Sequence, residues 1–265
     1  MLYQLSYTPA AQRPRISRWQ RARQDAYRSQ SETVRRHLMH APVPETIPVD
    51  LLLRAYRSGI FPMADHRSDR EVYWVEPRER AVIPLDEFHL SRSLCKLIRQ
   101  ERFRITCNCD FTAVIAACAQ PREEHAESWI SHQIEASYVA LHRAGYAHSV
   151  EVWDDEKLVG GLYGVAFDRV FCGESMFSRA DNSSKVALAW LVATMRVSGY
   201  ALLDCQFMTR HLASMGAIEM PQAVYAKRLQ SARGSPACNL PSTFDAANAH
   251  SSPGKFIVQS LTQTS

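Results

Sequence analysis

The chain has 265 residues, 46% of them hydrophobic and 22% charged, with a formal net charge of +4 at pH 7. These values are typical of an ordinary globular protein with one large domain or two smaller ones. No run of 18 apolar residues occurs, which excludes a membrane-spanning helix. The N-terminus lacks a signal-peptide pattern, and the seven cysteines have no framework spacing, so we expect a cytoplasmic protein.

The positive charge is concentrated at the N-terminus. Residues 1–40 contain eight arginines against Asp25 and Glu32, a net +6, so the remainder carries about −2 (+4 − 6). We expect residues 1–45 to be a basic, disordered extension. Its function is open: either an electrostatic arm for nucleic acid or a tail without a specific role.

Residues 46–105 predict a small N-terminal α+β domain. A helix that Gly59 ends precedes two extended segments joined near Pro77, and a helix capped by Ser91 follows. The spacing i, i+4, i+7 puts three basic residues of this last helix on one side. A solvated face is the default interpretation, and a phosphate-contacting face is the more specific one; the residues are Arg92, Lys96 and Arg99.

Residues 106–231 predict the larger domain. Helices capped by Asp110 and Ser131 flank a polar loop, and short apolar runs between 146 and 178 predict antiparallel strands. The segment Asn182-Ser183-Ser184 is expected to cap a helix that Gly199 ends, followed by the buried strand ALLDC. This order suggests a mixed sheet like that of GNAT acyltransferases, although SRADNSSK lacks the glycines of a CoA pyrophosphate loop.

Three polar residues stand out inside the apolar segments: Glu174, Asp204 and Gln206. Strand ends aim side chains rigidly, so two carboxylates and an amide there indicate a reaction centre; the alternative is helix capping after a strand. Alternation sends Cys205 to the opposite face, which argues against a Cys205–His211 nucleophilic pair. The cysteines lack zinc-site spacing, so we expect no metal. Residues 232–265, rich in Ser, Pro, Ala and Asn, predict a mostly disordered tail.

Several segments together resemble the leucyl/phenylalanyl-tRNA–protein transferase family. They are GIFP, HLSRSL, YAHSVEVW, LVGGLYGVA, FCGESMFSRADNSSKVAL, LLDCQ and HLASMGAIEMP, and the resemblance covers roughly residues 46–230. It implies a GNAT-like catalytic domain behind a smaller N-terminal one. It also implies transfer of Leu, Phe or Met from aminoacyl-tRNA to proteins with N-terminal Arg or Lys, which marks them for proteolysis. The ester is already activated, so we expect no cofactor, and nothing demands more than a monomer.

The resemblance also implies residue roles. Gln206 would orient the amine or the carbonyl, Asp204 would polarise that amide or accept the proton, and Glu174 would hold the acceptor's cationic residue. Trp129 and Tyr138 would contact the terminal adenosine. Met63, where many relatives have Trp, would lie near the adenosine and the peptide. Arg92, Lys96 and Arg99 would meet tRNA phosphates. An apolar slot for the donor side chain would be formed by Leu162, Phe171, Met176, Leu188, Leu191 and Leu203.

Two other functions remain open on the sequence. The first is an acyl-CoA-dependent N-acyltransferase, against which the missing pyrophosphate loop argues. The second is a non-catalytic tRNA-binding protein or degradation adaptor, against which the joint presence of Glu174, Asp204 and Gln206 argues.

Overall fold

The structure is a computed structural model that describes residues 46–121 and 127–263. The predicted basic extension, residues 1–45, lies outside the described residues. No helix within the described part of the chain is long and apolar enough to cross a membrane.

The described part begins with a helix and a small two-stranded sheet. Helix α1 is Val49–Arg57, and Gly59 follows it with a φ of +76°, as the helix-ending role predicted from the sequence requires. Strand β1 (Phe61–Met63) pairs antiparallel with β2 (Tyr73–Val75). The GIFP segment is therefore a buried edge of this small sheet.

A seven-stranded sheet forms the centre of the protein. Its strands are β3 (Glu79–Ile83), β4 (Arg104–Cys107), β5 (Ala147–Asp154), β6 (Lys157–Phe167), β7 (Val170–Ser178), β8 (Leu202–Gln206) and β9 (Ile218–Pro221). They lie in the order β4-β5-β6-β7-β8-β3-β9. Neighbours are antiparallel except β7 and β8, which a crossover helix makes parallel. The predicted mixed α+β class is confirmed.

Helices cover both faces of this sheet. Helix α5 (Ser183–Ser198) is the crossover between β7 and β8. The others, with a 3-10 turn at Leu85–Glu87, are α2 (Arg92–Arg99), α3 (Phe111–Cys118), α4 (His132–Arg143), α6 (Arg210–Ser214), α7 (Gln222–Ser231), α8 (Leu240–Asn248) and α9 (Pro253–Thr262).

The predicted helix caps are confirmed with one exception. The side chains of Ser91, Asp110 and Ser131 each accept a backbone N–H three residues ahead. Asn182 does not cap α5 with its side chain; it adopts a left-handed φ of 63°. The hydroxyl of Ser183 instead bonds the Val159 carbonyl (3.0 Å), which ties the start of α5 to β6.

Two apolar cores lie on opposite faces of the sheet. The α5 core contains the inward side of α5, together with Leu203 and Cys205 of β8. The α4 core contains Tyr138 of α4, Tyr225 of α7 and Leu202 of β8. Because successive residues of a strand point to opposite faces, Asp204 lies on the same side of β8 as Leu202.

The predicted domain boundary at 105–106 needs correction. It falls within β4, and β3 lies between β8 and β9 in the large sheet. Residues 46–263 group into one compact unit. The physical reason is the ERAVI segment of β3, which is buried after its first residue and completes the sheet beside β8.

The prediction of a disordered tail at 232–265 is wrong for the described residues. Helices α8 and α9 pack on the α5 core, and the ring of Phe244 stacks on Trp190 with centroids 6.1 Å apart. Although the composition of the tail is polar, its apolar residues recur at helical spacing. The residues buried in this way are Leu240, Phe244, Ala247, Ile257, Val258 and Leu261.

Candidate active site

The carboxylate of Asp204 is bound through both of its oxygens by Arg80. Arg80 Nε donates to Asp204 Oδ1 (2.8 Å) and Arg80 Nη2 donates to Oδ2 (2.6 Å), a bidentate pair with both side chains buried. The Tyr225 hydroxyl also donates to Oδ2 (3.0 Å), and the backbone N–H of Gln206 donates to Oδ1 (2.8 Å). A carboxylate offers about four acceptor positions, so these four donors fill them.

Gln206 sits at the end of β8 in a strained backbone conformation. Its φ of 64° is left-handed, which a non-glycine residue adopts only when the surroundings stabilise it. Its side-chain Nε2 donates to Oε1 of Glu174 (2.9 Å). Its Oε1 is buried and has no hydrogen-bond partner among the described residues. An amide acceptor is thus left available beside two carboxylates.

A bulge in β7 brings Glu174 to this position. Tyr163 pairs with Ser175, and Gly164 pairs with Gly173, so Glu174 is an extra residue between two pairings. A second register shift, between the pairings of β3 with Asp204 and with Gln206, lies on the neighbouring strand. Such irregularities re-aim side chains, and here they allow Glu174 to meet Gln206.

Two tyrosines complete the environment of Glu174. The Tyr138 hydroxyl donates to Glu174 Oε2 (3.1 Å), and the hydroxyls of Tyr138 and Tyr56 share a hydrogen bond. Burial raises the pKa of Glu174 to about 7, against a smaller lowering by the hydrogen bonds from Gln206, Tyr56 and Tyr138. A carboxyl group with this pKa exchanges a proton easily at neutral pH.

The three residues that the sequence predicted for the reaction centre are therefore adjacent: Glu174, Asp204 and Gln206. Cys205 faces the α5 core, opposite Asp204, as the alternation predicted. Burial raises the pKa of its thiol, so the thiolate needed for a nucleophile is disfavoured. The arrangement suits hydrogen bonding and proton transfer.

The predicted apolar slot lies on the other face of the sheet. Its six residues are at most 1% exposed and belong to one cluster, the α5 core: Leu162, Phe171, Met176, Leu188, Leu191 and Leu203. They are brought together as predicted. However, Leu203 and Asp204 are consecutive on β8 and point to opposite faces, so the sheet separates most of the slot from the polar trio.

The residues predicted to contact the adenosine lie in two different environments. Tyr138 belongs to the polar centre itself. Trp129 and Met63 are 2% and 6% exposed and pack in the α4 core, with the Ala64 N–H donating to the Trp129 carbonyl (3.2 Å). Because the side chains of Trp129 and Met63 have almost no exposed surface, packing in the core next to the site fits them better than stacking on a base.

The basic face predicted on α2 is exposed. Arg92, Lys96 and Arg99 all point to solvent, while Leu94 and Ile98 of the same helix are buried. Helix α2 packs against α9 and α5. The face is thus on the α5 side of the molecule.

Sequence reasoning missed Arg80, Tyr225 and Tyr56, all at most 1% exposed. One signal was available for Arg80: it shares the face of β3 with Val82, two residues on, so a charged side chain was aimed into the core. Its partner Asp204 lies 124 residues away, and no local pattern reveals such a pairing.

The family models and the curated relatives that match this chain all carry the same family name. The family model described as "Leucyl/phenylalanyl-tRNA protein transferase" matches residues 82–230, and the corresponding N-terminal domain model matches 45–78. Curated relatives named "Leucyl/phenylalanyl-tRNA--protein transferase" include that of Novosphingobium aromaticivorans, 52% identical over 84% of this chain and 98% of its own length. That of Zymomonas mobilis is 60% identical over 69% of this chain and 68% of its own. That of Ruegeria pomeroyi is 47% identical over 83% and 100%.

Among solved structures, "The structure of L-PGS from Bacillus licheniformis" has a TM-score of 0.35 and 14% identity over 62% of this chain and 55% of that one. This similarity is too low to carry an argument about the fold.

Proposed function

This chain belongs to the leucyl/phenylalanyl-tRNA protein transferase family, and on that basis we propose that it moves Leu, Phe or Met from aminoacyl-tRNA to proteins with N-terminal Arg or Lys. The product would carry a destabilising N-terminus that directs it to proteolysis. A monomer in the cytoplasm is part of the proposal. The observation that carries the site assignment is the Gln206 amide, which Asp204 and Glu174 hold with its Oε1 unbonded among the described residues.

The reaction needs one bond formed, one broken and one proton moved. The acceptor's α-amine attacks the ester carbonyl, the new C–N bond forms, and the C–O bond to the tRNA ribose breaks. The amine loses a proton and the departing ribose oxygen gains one. Positioning of the two reactants supplies roughly 7–11 kcal/mol of such a barrier, so the site needs no covalent nucleophile.

Gln206 is proposed to orient the attacking amine. Its Oε1 would accept an N–H of the amine, while its Nε2 remains bonded to Glu174. The left-handed backbone and the Asp204 contact fix the direction of this side chain. An amide serves here because it accepts a hydrogen bond from the neutral amine without trapping the charged one in an ion pair.

Glu174 is proposed as the proton acceptor. The resemblance implies that Asp204 polarises the amide or accepts the proton, but the acceptor positions of Asp204 are filled by Arg80, Tyr225 and Gln206. The pKa of Glu174, about 7, lies close to the reference range of about 7.7–8.0 for an α-amine. Holding the acceptor's cationic side chain suits Glu174 less well, since a carboxyl group with a pKa of about 7 is only partly ionised at neutral pH.

The six slot residues defined above are proposed to bind the donor side chain, which would have to reach them past the end of β8, because the sheet separates most of them from Gln206. Their burial and common cluster support an apolar slot. Leu, Met and Phe are unbranched at Cβ, and discrimination by shape alone is worth about 1–3 kcal/mol per methylene. Arg92, Lys96 and Arg99 are proposed to contact tRNA phosphates, and their exposure on one helix supports this.

A GNAT-like arrangement of the sheet is also proposed. The parallel pair β7–β8 within an otherwise antiparallel sheet, joined through α5, supports it. We further propose that a small N-terminal domain ends before β3 rather than at 105, since the two matched segments of the family meet between 78 and 82.

The decisive experiment mixes purified protein, tRNA charged with labelled Phe, and a peptide that begins with Arg. We expect label in the peptide, and none when the peptide is acetylated at its N-terminus. Binding of the charged tRNA without transfer would favour the adaptor function instead. Thermal stabilisation by acetyl-CoA, together with acetylation of the peptide, would favour the acyl-CoA-dependent enzyme.

A further inference from the structure

The buried side chain of Arg80 contacts several parts of the structure around the proposed reaction centre. It lies on β3 and is 1% exposed. Beyond the two bonds to Asp204, its Nη1 donates to the carbonyl of Gly59 (3.1 Å). Its guanidinium carbon lies 4.8 Å from the ring centroid of Phe61 and 4.6 Å from that of Tyr225, so two aromatic rings contact it. Each of these contacts restricts how the group can rotate.

Through these contacts, the packing around Arg80 fixes the orientation of Gln206. Arg80 fixes the plane of the Asp204 carboxylate, because a bidentate pair allows one orientation. Asp204 Oδ1 then accepts the N–H of Gln206 (2.8 Å). That bond stabilises the otherwise unfavourable left-handed backbone of Gln206, from which the side chain reaches Glu174.

We propose that Arg80 is a positioning residue of the transfer reaction: through Asp204 it holds Gln206 in the left-handed conformation that presents the amide oxygen to the substrate. This inference rests on the proposed function. Arg80 itself touches neither substrate nor the reacting atoms. Its geometry, rather than its charge alone, carries the effect, because a lysine at this position has a single nitrogen and cannot bond both oxygens of Asp204 in the same plane.

A buried ion pair that only stabilises the fold would give a different result. Loss of such a pair lowers the folded fraction but leaves the rate per folded molecule unchanged. Arg196 provides the matched control, since it is a largely buried arginine whose side chain bonds the carbonyls of Leu261 and Gln263 on the other side of the sheet. It belongs to no part of the proposed site.

The test compares wild type, Arg80→Lys, Arg80→Ala and Arg196→Lys. The maximal rate of Phe transfer is measured per folded molecule with saturating charged tRNA and peptide, and tRNA affinity is measured separately. We expect Arg80→Lys to lose about 100-fold in the maximal rate, the scale of a misplacement near 1 Å, with tRNA affinity unchanged. Arg196→Lys should lose stability without losing rate.

Added guanidinium supplies a second readout. A cavity of about 250 Å³ has Gly59 and Tyr225, two of the residues that Arg80 contacts, in its wall, so a small cation bound there would approach the place of the guanidinium. We expect guanidinium, and not methylammonium, to restore part of the rate of Arg80→Ala. If that variant does not fold, Arg80→Lys and the next measurement decide the matter.

Amide hydrogen exchange at Gln206 tests the proposal without any assay of transfer. Exchange of its N–H should be faster in Arg80→Lys than in wild type, while exchange in α5 stays the same. An inactive wild type would refute the proposed function alone. Full activity per folded molecule in Arg80→Lys, or unchanged exchange at Gln206, would overturn the role of Arg80.

Discussion

The side-chain Nε2 of Gln206 lies 2.9 Å from Oε1 of Glu174, and this contact joins the end of β8 to the bulge of β7. It also fixes the orientation of the Gln206 amide: its nitrogen donates to Glu174, and its buried Oε1 is the atom left to accept a hydrogen bond. The proposed mechanism depends on this direction.

The buried carboxyl group of Glu174 should make stability depend on pH. Its pKa in the folded protein, about 7, is above its ordinary value of 4.5, so the folded state binds more protons than the unfolded state between these values. The free energy of unfolding should therefore fall as pH rises from about 4.5 to about 7, by on the order of 3 kcal/mol. Urea denaturation at several pH values measures the slope. Glu174→Gln should flatten it, and an equal slope in both proteins would contradict the pKa.

Substitutions at Gln206 should separate strain from function. Gln206→Ala and Gln206→Gly both remove the amide, so each should lower the transfer rate by about 100-fold to 1000-fold, the scale of one lost transition-state hydrogen bond. Glycine adopts the left-handed backbone without cost, so Gln206→Gly should be about 1 kcal/mol more stable than Gln206→Ala. Thermal denaturation provides the comparison. Normal transfer by either variant would remove Gln206 from the mechanism.

Widening the proposed slot should alter donor choice. Met176→Ala leaves a cavity in the α5 core, and we expect a loss of about 2–5 kcal/mol in stability together with better use of Trp-tRNA relative to Leu-tRNA. Met195→Ala is the control, because Met195 is equally buried in the same core and is not a slot residue. Competition between two charged tRNAs measures the ratio. A donor ratio that stays the same in Met176→Ala, or changes equally in both variants, would argue against the slot.

The basic face of α2 should control the salt dependence of tRNA binding. Replacing Arg92, Lys96 and Arg99 by Ala should weaken binding and reduce the slope of log affinity against log salt by about 2 to 3. Titration at several salt concentrations measures this slope. The control replaces three exposed basic residues of other elements, Arg143, Lys157 and Lys227, and should change the slope less. Equal effects of the two triple variants would indicate binding by overall charge.

The two C-terminal helices should contribute to global stability. Phe244→Ala removes a fully buried ring from the contact with Trp190 and should cost about 3–5 kcal/mol. Phe256→Ala, at a half-buried position where the ring stacks on His250, should cost less. Chemical denaturation compares the two variants. Equal, small losses would mean that these helices pack loosely on the α5 core.

Local features of the structure could be read from the sequence, and distant ones could not. The sequence identifies Ser91 and Asp110 as caps because a cap acts within three residues of itself. The alternation along β8 likewise placed Cys205 and Asp204 on opposite faces. The bulge at Glu174 and the partnership of Arg80 with Asp204 depend on pairing between segments far apart in the chain, which no window of sequence displays.

The C-terminal segment shows a different limit. Its polar composition indicated disorder, but composition averages over the positions that decide packing. Ile257, Val258 and Leu261 lie on one side of α9 and bury that side completely enough to order the helix. Periodicity was the better guide there.

The pairs that define the centre are separated by 124 residues for Arg80 and Asp204, 36 for Tyr138 and Glu174, and 82 for Tyr56 and Tyr138. Each contact closes a long loop, and the entropy cost of closing it is offset only when most of the sheet has assembled. Transfer activity should consequently return late in refolding and in a single step. A fragment that lacks any one of α1, β3 or α4 should have no transfer activity.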